Sequence, residues 1–307
     1  MTPQARNRPA LGLIGAGRAG GSLAVLLSQC GWTPCSIWSR SPERRCTVAR
    51  RIGRIAGRPP SCRSRPADVA QDASILLLAV PDDALPGMAA ELAAACPHLA
   101  GRVFLHLSGA AGLTPLLPLR EQGASTGSLH PLAVLSGKIP PPDMLRGAGF
   151  AVDGQPRALR VARRLARDLG GRPFTIDSRR RPLYHLAASL VANDVLAIFH
   201  LAHQSLCKAG LKEKEAHQVL VHLLQGTAAT LVETPAERAL TGPVSRGDAS
   251  TLAQHLRAAP DARTAATHRL LSLILVDMAR AADRMDAATT RRLRRLLVAP
   301  GGGKGRG

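Results

Sequence analysis

Apolar positions fall into two regimes along the chain. Up to about residue 178, short continuous apolar runs alternate with stretches of helical spacing. The runs Leu11–Ile14, Cys35–Trp38, Ser74–Val80, Val103–Leu107 and Thr126–Pro131 read as strands, and those that are apolar throughout suit a parallel sheet covered on both faces. Phe150–Val152 and Phe174–Ile176 read as the last strands, with a helix over Arg157–Leu169 between them. From Arg179 the period is helical throughout, predicting helices over 181–209, 212–232, 248–258, 262–282 and 286–298. The expected architecture is therefore α/β, with a doubly wound sheet domain over 1–178 and an all-helical domain over 179–300. The tail Gly301–Gly307 is expected to be disordered. A cleft between a sheet domain and a helical one is a common place for a small-molecule site.

The first run breaks into Gly15-Ala16-Gly17-Arg18-Ala19-Gly20 and resumes as a helix over about 19–30. Glycines at this spacing between a strand and a helix form a dinucleotide-binding turn: Gly15 for the tight bend, Gly17 for close approach of a pyrophosphate, Gly20 for helix packing on the strand. The anion would rest on the helix N-terminus. Val80 and Pro81, closing a neighbouring strand, should border the same ligand. At the end of the second strand stands Ser39-Arg40-Ser41, where an NAD-binding chain usually has an acid for the ribose hydroxyls. Arg40 and Ser41, with Arg44 or Arg45, instead offer donors to the 2′-phosphate of NADP. The alternative is a solvated basic loop.

Composition changes this picture little. The 307 residues carry a formal charge of +20, but only five of the 41 basic residues are lysine, and aromatic residues make up 2%. So few stacking platforms and no zinc-finger or helix-turn-helix pattern argue against nucleic acid as a partner. The six cysteines form no CxxC pair, which suits free thiols in a reducing cytoplasm and argues against a metal centre. No segment reads as a signal peptide or a membrane span. The most apolar helix, Leu186–Ala202, contains Asn193, Asp194 and His200 and reads as buried between protein surfaces. Its apolar surface, with that of Leu270–Met278, predicts a homodimer joined through the helical halves.

Candidate chemistry clusters in four places. Ser108 and His130 end the fourth and fifth strands, at the carboxyl edge where open α/β sheets bind ligands, although a cap or turn accounts for each equally well. His185, Ser189 and Asn193 recur every four residues on an apolar helix and should share one face, as a ligand site or as a self-satisfied polar seam. Arg246, in the loop Leu240–Asp248, suits a substrate carboxylate or an ion pair with Asp248, which should cap the following helix.

Taken together, the Tyr184-His185 helix with Asn193, the Gly127-Ser128-Leu129-His130-Pro131 turn and the Leu240–Asp248 segment resemble a bacterial family of Rossmann-like oxidoreductases. Their helical half belongs to the 6-phosphogluconate dehydrogenase-like superfamily, and the likeness runs from about Pro9 to Leu297. The family includes alternative-type ketopantoate reductases, so the resemblance implies NADPH-dependent reduction of a small 2-keto acid. Better-known members of the superfamily place a lysine four residues before the asparagine; this chain has Ser189 there. His185 is then the natural proton donor, with Asn193 and Ser189 orienting the substrate and Arg246 holding its carboxylate. An imine reductase resembling pyrroline-carboxylate reductase and a non-catalytic NADPH sensor are the alternatives.

Overall fold

The computed structural model describes residues 8–137 and 139–298, so the expected disorder of Gly301–Gly307 lies outside the described residues. These residues form two compact units that divide after Ala192.

In the first unit, β1 (Leu11–Ile14) leads through the glycine loop into α1 (Arg18–Gln29), β2 (Pro34–Trp38), α2 (Pro42–Ala56) and the two-residue strand β3 (Ser61–Cys62). Next come α3 (Pro66–Asp72), β4 (Ile75–Leu78), α4 (Leu85–Ala95), β5 (Val103–His106), α5 (Leu117–Glu121) and β6 (Ser125–Pro131). The unit ends with β7 (Gly149–Gly154), α6 (Pro156–Asp168), β8 (Arg172–Thr175) and α7 (Arg181–Ser189). One eight-stranded sheet has the order β3-β2-β1-β4-β5-β6-β7-β8. Strands β1 to β6 run parallel, and β7 reverses against β6, pairing His130 with Ala151. That reversal and the short edge strand β3 are not apparent from the apolar pattern.

Alternation along the central strands builds two cores, since successive side chains point to opposite faces. Leu11, Leu13, Ile75, Leu77, Val103 and Leu105 pack with α1, α2 and α6 on one face. Ile14, Leu76, Leu78 and Phe104 pack with α3, α4 and α5 on the other. His106 continues the Phe104 face and is buried; its strand neighbour on β6 is Ser128. The parallel sheet thus carries a polar patch at its carboxyl edge, inside an apolar strand. The apolar pattern changes at 178/179, where the sheet ends, but α7 still belongs to the first unit.

After a π-helical turn over Leu190–Asp194, the second unit contains α8 (Val195–Lys208), α9 (Glu213–Glu233), α10 (Ala236–Ala239), α11 (Gly242–Ser245), α12 (Ala249–Ala258), α13 (Ala262–Ala281) and α14 (Ala287–Val298). Its core joins Val244, Leu252, Val276, Leu293 and Leu297, from α11 to α14. Helices α8 and α9 stand outside it: α8 buries no residue, and α9, 21 residues long, buries only Ala216. Among the described residues nothing buries Leu186–Ala202 as expected, and Leu196, Leu223 and Val232 are exposed. By length and composition alone, the helical path Ser178–Lys208 is long and apolar enough to cross a membrane.

Candidate active site

The glycine loop is built as its spacing requires. Gly15 has φ of 104°, and a Cβ on it would stand 2.3 Å from the Ala79 carbonyl oxygen. A Cβ on Gly20 would meet the Gly15 carbonyl at 2.2 Å. Gly17 differs, because its Cβ would meet nothing within 4 Å. The open side of Gly17 thus leaves room for a ligand to approach the backbone. Gly17 is also the N-cap of α1 and supplies no side-chain cap, so the first-turn amides keep their donors for an anion.

Beside this loop lies a cavity of about 420 Å³ between the first turns of α1 and α2, lined among others by Gly17, Arg18, Glu43, Arg44 and Arg51. Three guanidinium groups face one carboxylate there, which favours an anionic occupant. Arg51 is braced by donating to the Gly137 carbonyl at 2.7 Å. Ser41 caps α2, its Oγ accepting from the Arg44 amide at 3.2 Å, and Pro42 and the left-handed Gly57 bound the helix. Arg40, one residue before that cap, is exposed. Arg45 is not available to a phosphate in the same way, because it donates to the Arg63 carbonyl and ties α2 to β3. Val80 packs against the second core, and Pro81 opens the turn that leads to α4.

The second half of the site lies at the ends of β5 and β6. Ser108 Oγ accepts from the Ala111 amide at 2.9 Å, the turn role foreseen as its alternative. His130 Nδ1 lies 2.6 Å from the Tyr184 hydroxyl. The rings of His130 and His185 meet edge to face, with centroids 6.2 Å apart. Both crowd Gly109: a Cβ there would lie 2.7 Å from His185 Nδ1 and 2.8 Å from His130 Nε2. Residues from β6 and α7 therefore converge over a glycine at the end of β5.

Arg181 anchors this arrangement from below. It is fully buried, donates to the carbonyls of Ser108 at 3.2 Å and Gly109 at 3.5 Å, and also donates to Ser128 Oγ. No carboxylate pairs with it among the described residues, so a buried cation underlies the histidines. Burial, then the charges of His185 and Arg181, push the His130 imidazole down to about 4. Burial and Arg181 hold His106 at about 3, and burial raises the Tyr184 hydroxyl to about 12. At neutral pH the two histidines are uncharged and the tyrosine keeps its proton.

The buried neutral His106 has a consequence for stability. In the unfolded chain it takes a proton near pH 6.5, but in the folded chain only near 3. Between these values the unfolded state binds more protons, so stability falls as pH falls. Thermal melts between pH 6 and 4 should show a loss of about 1.4 kcal/mol per pH unit from this group, and His106→Gln should flatten that slope.

The remaining candidates are placed differently. His185 and Ser189 lie on α7, and Asn193 falls in the π turn that follows it. The expected loop before Asp248 contains the short helix α11. Asp248 caps α12, accepting from the Thr251 amide, Thr251 Oγ1 and Ser250 Oγ, and these bonds hold its carboxyl well below the usual range. Its oxygens are committed to the cap, and Arg246 is exposed in the second unit without an ion pair to it. Sequence reasoning did not assign roles to Arg181, His106, Gly109 or Tyr184, although Tyr184 is the chain's single tyrosine and sits in a quoted motif.

A parallel sheet in this order, an open glycine loop and an uncapped helix N-terminus define the Rossmann-like class. Residues 3–131 match the model of a Rossmann-like domain, and residues 148–274 match the domain of unknown function DUF2520. None of the curated proteins matches it. Among solved structures, a Bacteroides fragilis protein provisionally named an NADP oxidoreductase is 22% identical, with 88% of this chain and 98% of that one covered at a TM-score of 0.71. A Thermotoga maritima protein, TM1727, is 23% identical over 89% of this chain and 100% of its own, at 0.66. Pyrroline carboxylate reductase from Plasmodium falciparum, solved with NADP bound, is 11% identical over 94% and 98%, at 0.60. At these identities the likeness is one of fold.

Proposed function

We propose that the protein is an NADPH-dependent oxidoreductase that transfers hydride to a small carbonyl acid, with 2-dehydropantoate as the substrate that the family resemblance favours. The observation that carries this reading is the sharing of one sheet edge: the open glycine loop after β1 and the His130, Tyr184 and His185 cluster after β5 and β6 lie at the same carboxyl ends. The names of the B. fragilis and P. falciparum structures support the cofactor and the reaction class. The loop backbone and the α1 N-terminus would hold the pyrophosphate, and Arg40, Ser41 and Arg44 the 2′-phosphate. The bound cofactor supplies the hydride. His185 delivers the proton to the substrate oxygen, and Ser108 and His130 orient that oxygen. A reducing cytoplasm suits the six free cysteines.

Cofactor choice is tested at Arg40. A lost charge-assisted hydrogen bond of roughly 1.5–3 kcal/mol should narrow the NADPH-over-NADH preference by about one to two orders of magnitude in Arg40→Ala. Calorimetric titration that gives an unchanged affinity ratio would return Arg40 to the solvated surface. The substrate is tested by turnover of NADPH with 2-keto acids and with cyclic imines. Imine reduction is the second reading, favoured by the pyrroline carboxylate reductase likeness, and a preference for cyclic imines would select it.

The exposed apolar faces of α8 and α9 support a homodimer joined through the helical halves, because side chains such as Leu196, Leu223 and Val232 are left exposed among the described residues. Light scattering should give twice the 32.2 kDa chain mass at micromolar concentration. A single-chain mass would reject the dimer.

A further inference from the structure

His130 can present either ring nitrogen's proton to a ligand, and its surroundings select one. Its Nδ1 faces the Tyr184 hydroxyl at 2.6 Å, and that hydroxyl makes no second hydrogen bond among the described residues. Were Nδ1 the protonated nitrogen, it would donate to the tyrosine oxygen and leave the phenolic hydrogen without an acceptor in a half-buried place. With Tyr184 donating, both partners are satisfied, and a single hydrogen bond fixes the tautomer. The proton of His130 then sits on Nε2. That nitrogen and His185 Nδ1 both stand over Gly109, where a Cβ would lie 2.8 Å from the one and 2.7 Å from the other.

We infer that Tyr184 is a positioning residue that locks His130 in its neutral Nε2–H form, so that this N–H is the hydrogen-bond donor presented to a carbonyl oxygen bound beside His185. The role toward a carbonyl rests on the reductase reading; the tautomer does not. The charged and titratable groups around His130 agree with a neutral ring. Burial first, then His185 and Arg181, disfavour a second proton, Tyr184 keeps its own, and Asp82 alone pulls the other way, as the weakest influence. A neutral imidazole donates to a developing alkoxide without first stripping a proton from solvent, and the buried cation of Arg181 adds a favourable field beneath it.

The tautomer is read directly by two-bond proton–nitrogen NMR of the full-length protein at neutral pH, with the His130 signals assigned by their loss in His130→Gln. Wild type should show the Nε2–H pattern, and Tyr184→Phe, which keeps the ring and its packing, should show mixed tautomers. An Nδ1–H or doubly protonated pattern in wild type, or an unchanged pattern in Tyr184→Phe, would overturn the inference. With a substrate that turns over, Tyr184→Phe should lower kcat about tenfold at unchanged KM. His130→Gln, whose amide can donate from near the Nε2 position, should retain more activity than His130→Asn, and the reverse order would count against the inference. If no substrate turns over while the tautomer pattern is as stated, the reductase reading fails and the tautomer lock stands.

Discussion

Replacement of Gly15 by valine is expected to abolish dinucleotide binding and to lower stability by about 2–6 kcal/mol. Two costs add. At φ of 104° a β-branched residue is strained, and its Cβ would stand 2.3 Å from the Ala79 carbonyl oxygen and 2.6 Å from the carbonyl carbon. Those atoms belong to the chain just after β4, held by the hydrogen bond from the Ala79 amide to the Ile14 carbonyl at 2.7 Å, so backbone must move. Thermal denaturation and NADPH titration check both effects. Gly17→Ala is the informative companion. Its Cβ meets nothing within 4 Å, so it should weaken NADPH binding at least tenfold with a far smaller change in melting temperature. If Gly17→Ala binds NADPH normally, no ligand approaches the loop from that side.

Gly109→Ala is expected to keep the fold and lose the chemistry. The atoms a new Cβ would meet belong to side chains and not to backbone, His185 Nδ1 at 2.7 Å and His130 Cε1 and Nε2 at 2.8 Å, and the exposed His185 ring can swing aside at little cost. Swinging aside separates the two rings, and a displacement of about 1 Å at a reacting geometry can cost a hundredfold in rate. Steady-state kinetics should therefore show kcat reduced by ten- to a hundredfold, with NADPH affinity and melting temperature near wild type. Wild-type kcat would place the chemistry elsewhere than the ends of β5 and β6.

What the sequence disclosed follows from how local each signal is. Gly15, Gly17 and Gly20 act within one turn, so their spacing alone located the loop, and the runs around Leu13, Leu77 and Leu105 marked strands covered on both faces. Arg181 and His106 were hidden for the opposite reason. Arg181 reads as one more arginine in a chain with many, and only the fold shows that it reaches Ser108, Gly109 and Ser128 from the first turn of α7. His106 reads as the end of an apolar strand, and its neighbour Ser128 is set by the register of β5 on β6. The four-residue spacing of His185, Ser189 and Asn193 assumed an unbroken α-helix, and the π turn over Leu190–Asp194 is invisible to that spacing. Helical periodicity likewise showed that α8 and α9 are apolar without showing that much of that surface stays exposed among the described residues.

The central claim, hydride transfer from NADPH to a small carbonyl acid beside His185, is tested most directly by following the label from C4-deuterated NADPH into the product of a 2-keto acid panel, with wild type and His185→Ala compared. The expected result is deuterium at the carbinol carbon of one product for wild type, and a rate reduced by about 10²–10⁴ in His185→Ala at unchanged NADPH affinity. Tight NADPH binding with no deuterium transferred to any keto acid or cyclic imine would contradict it and leave a protein that binds the dinucleotide without using it.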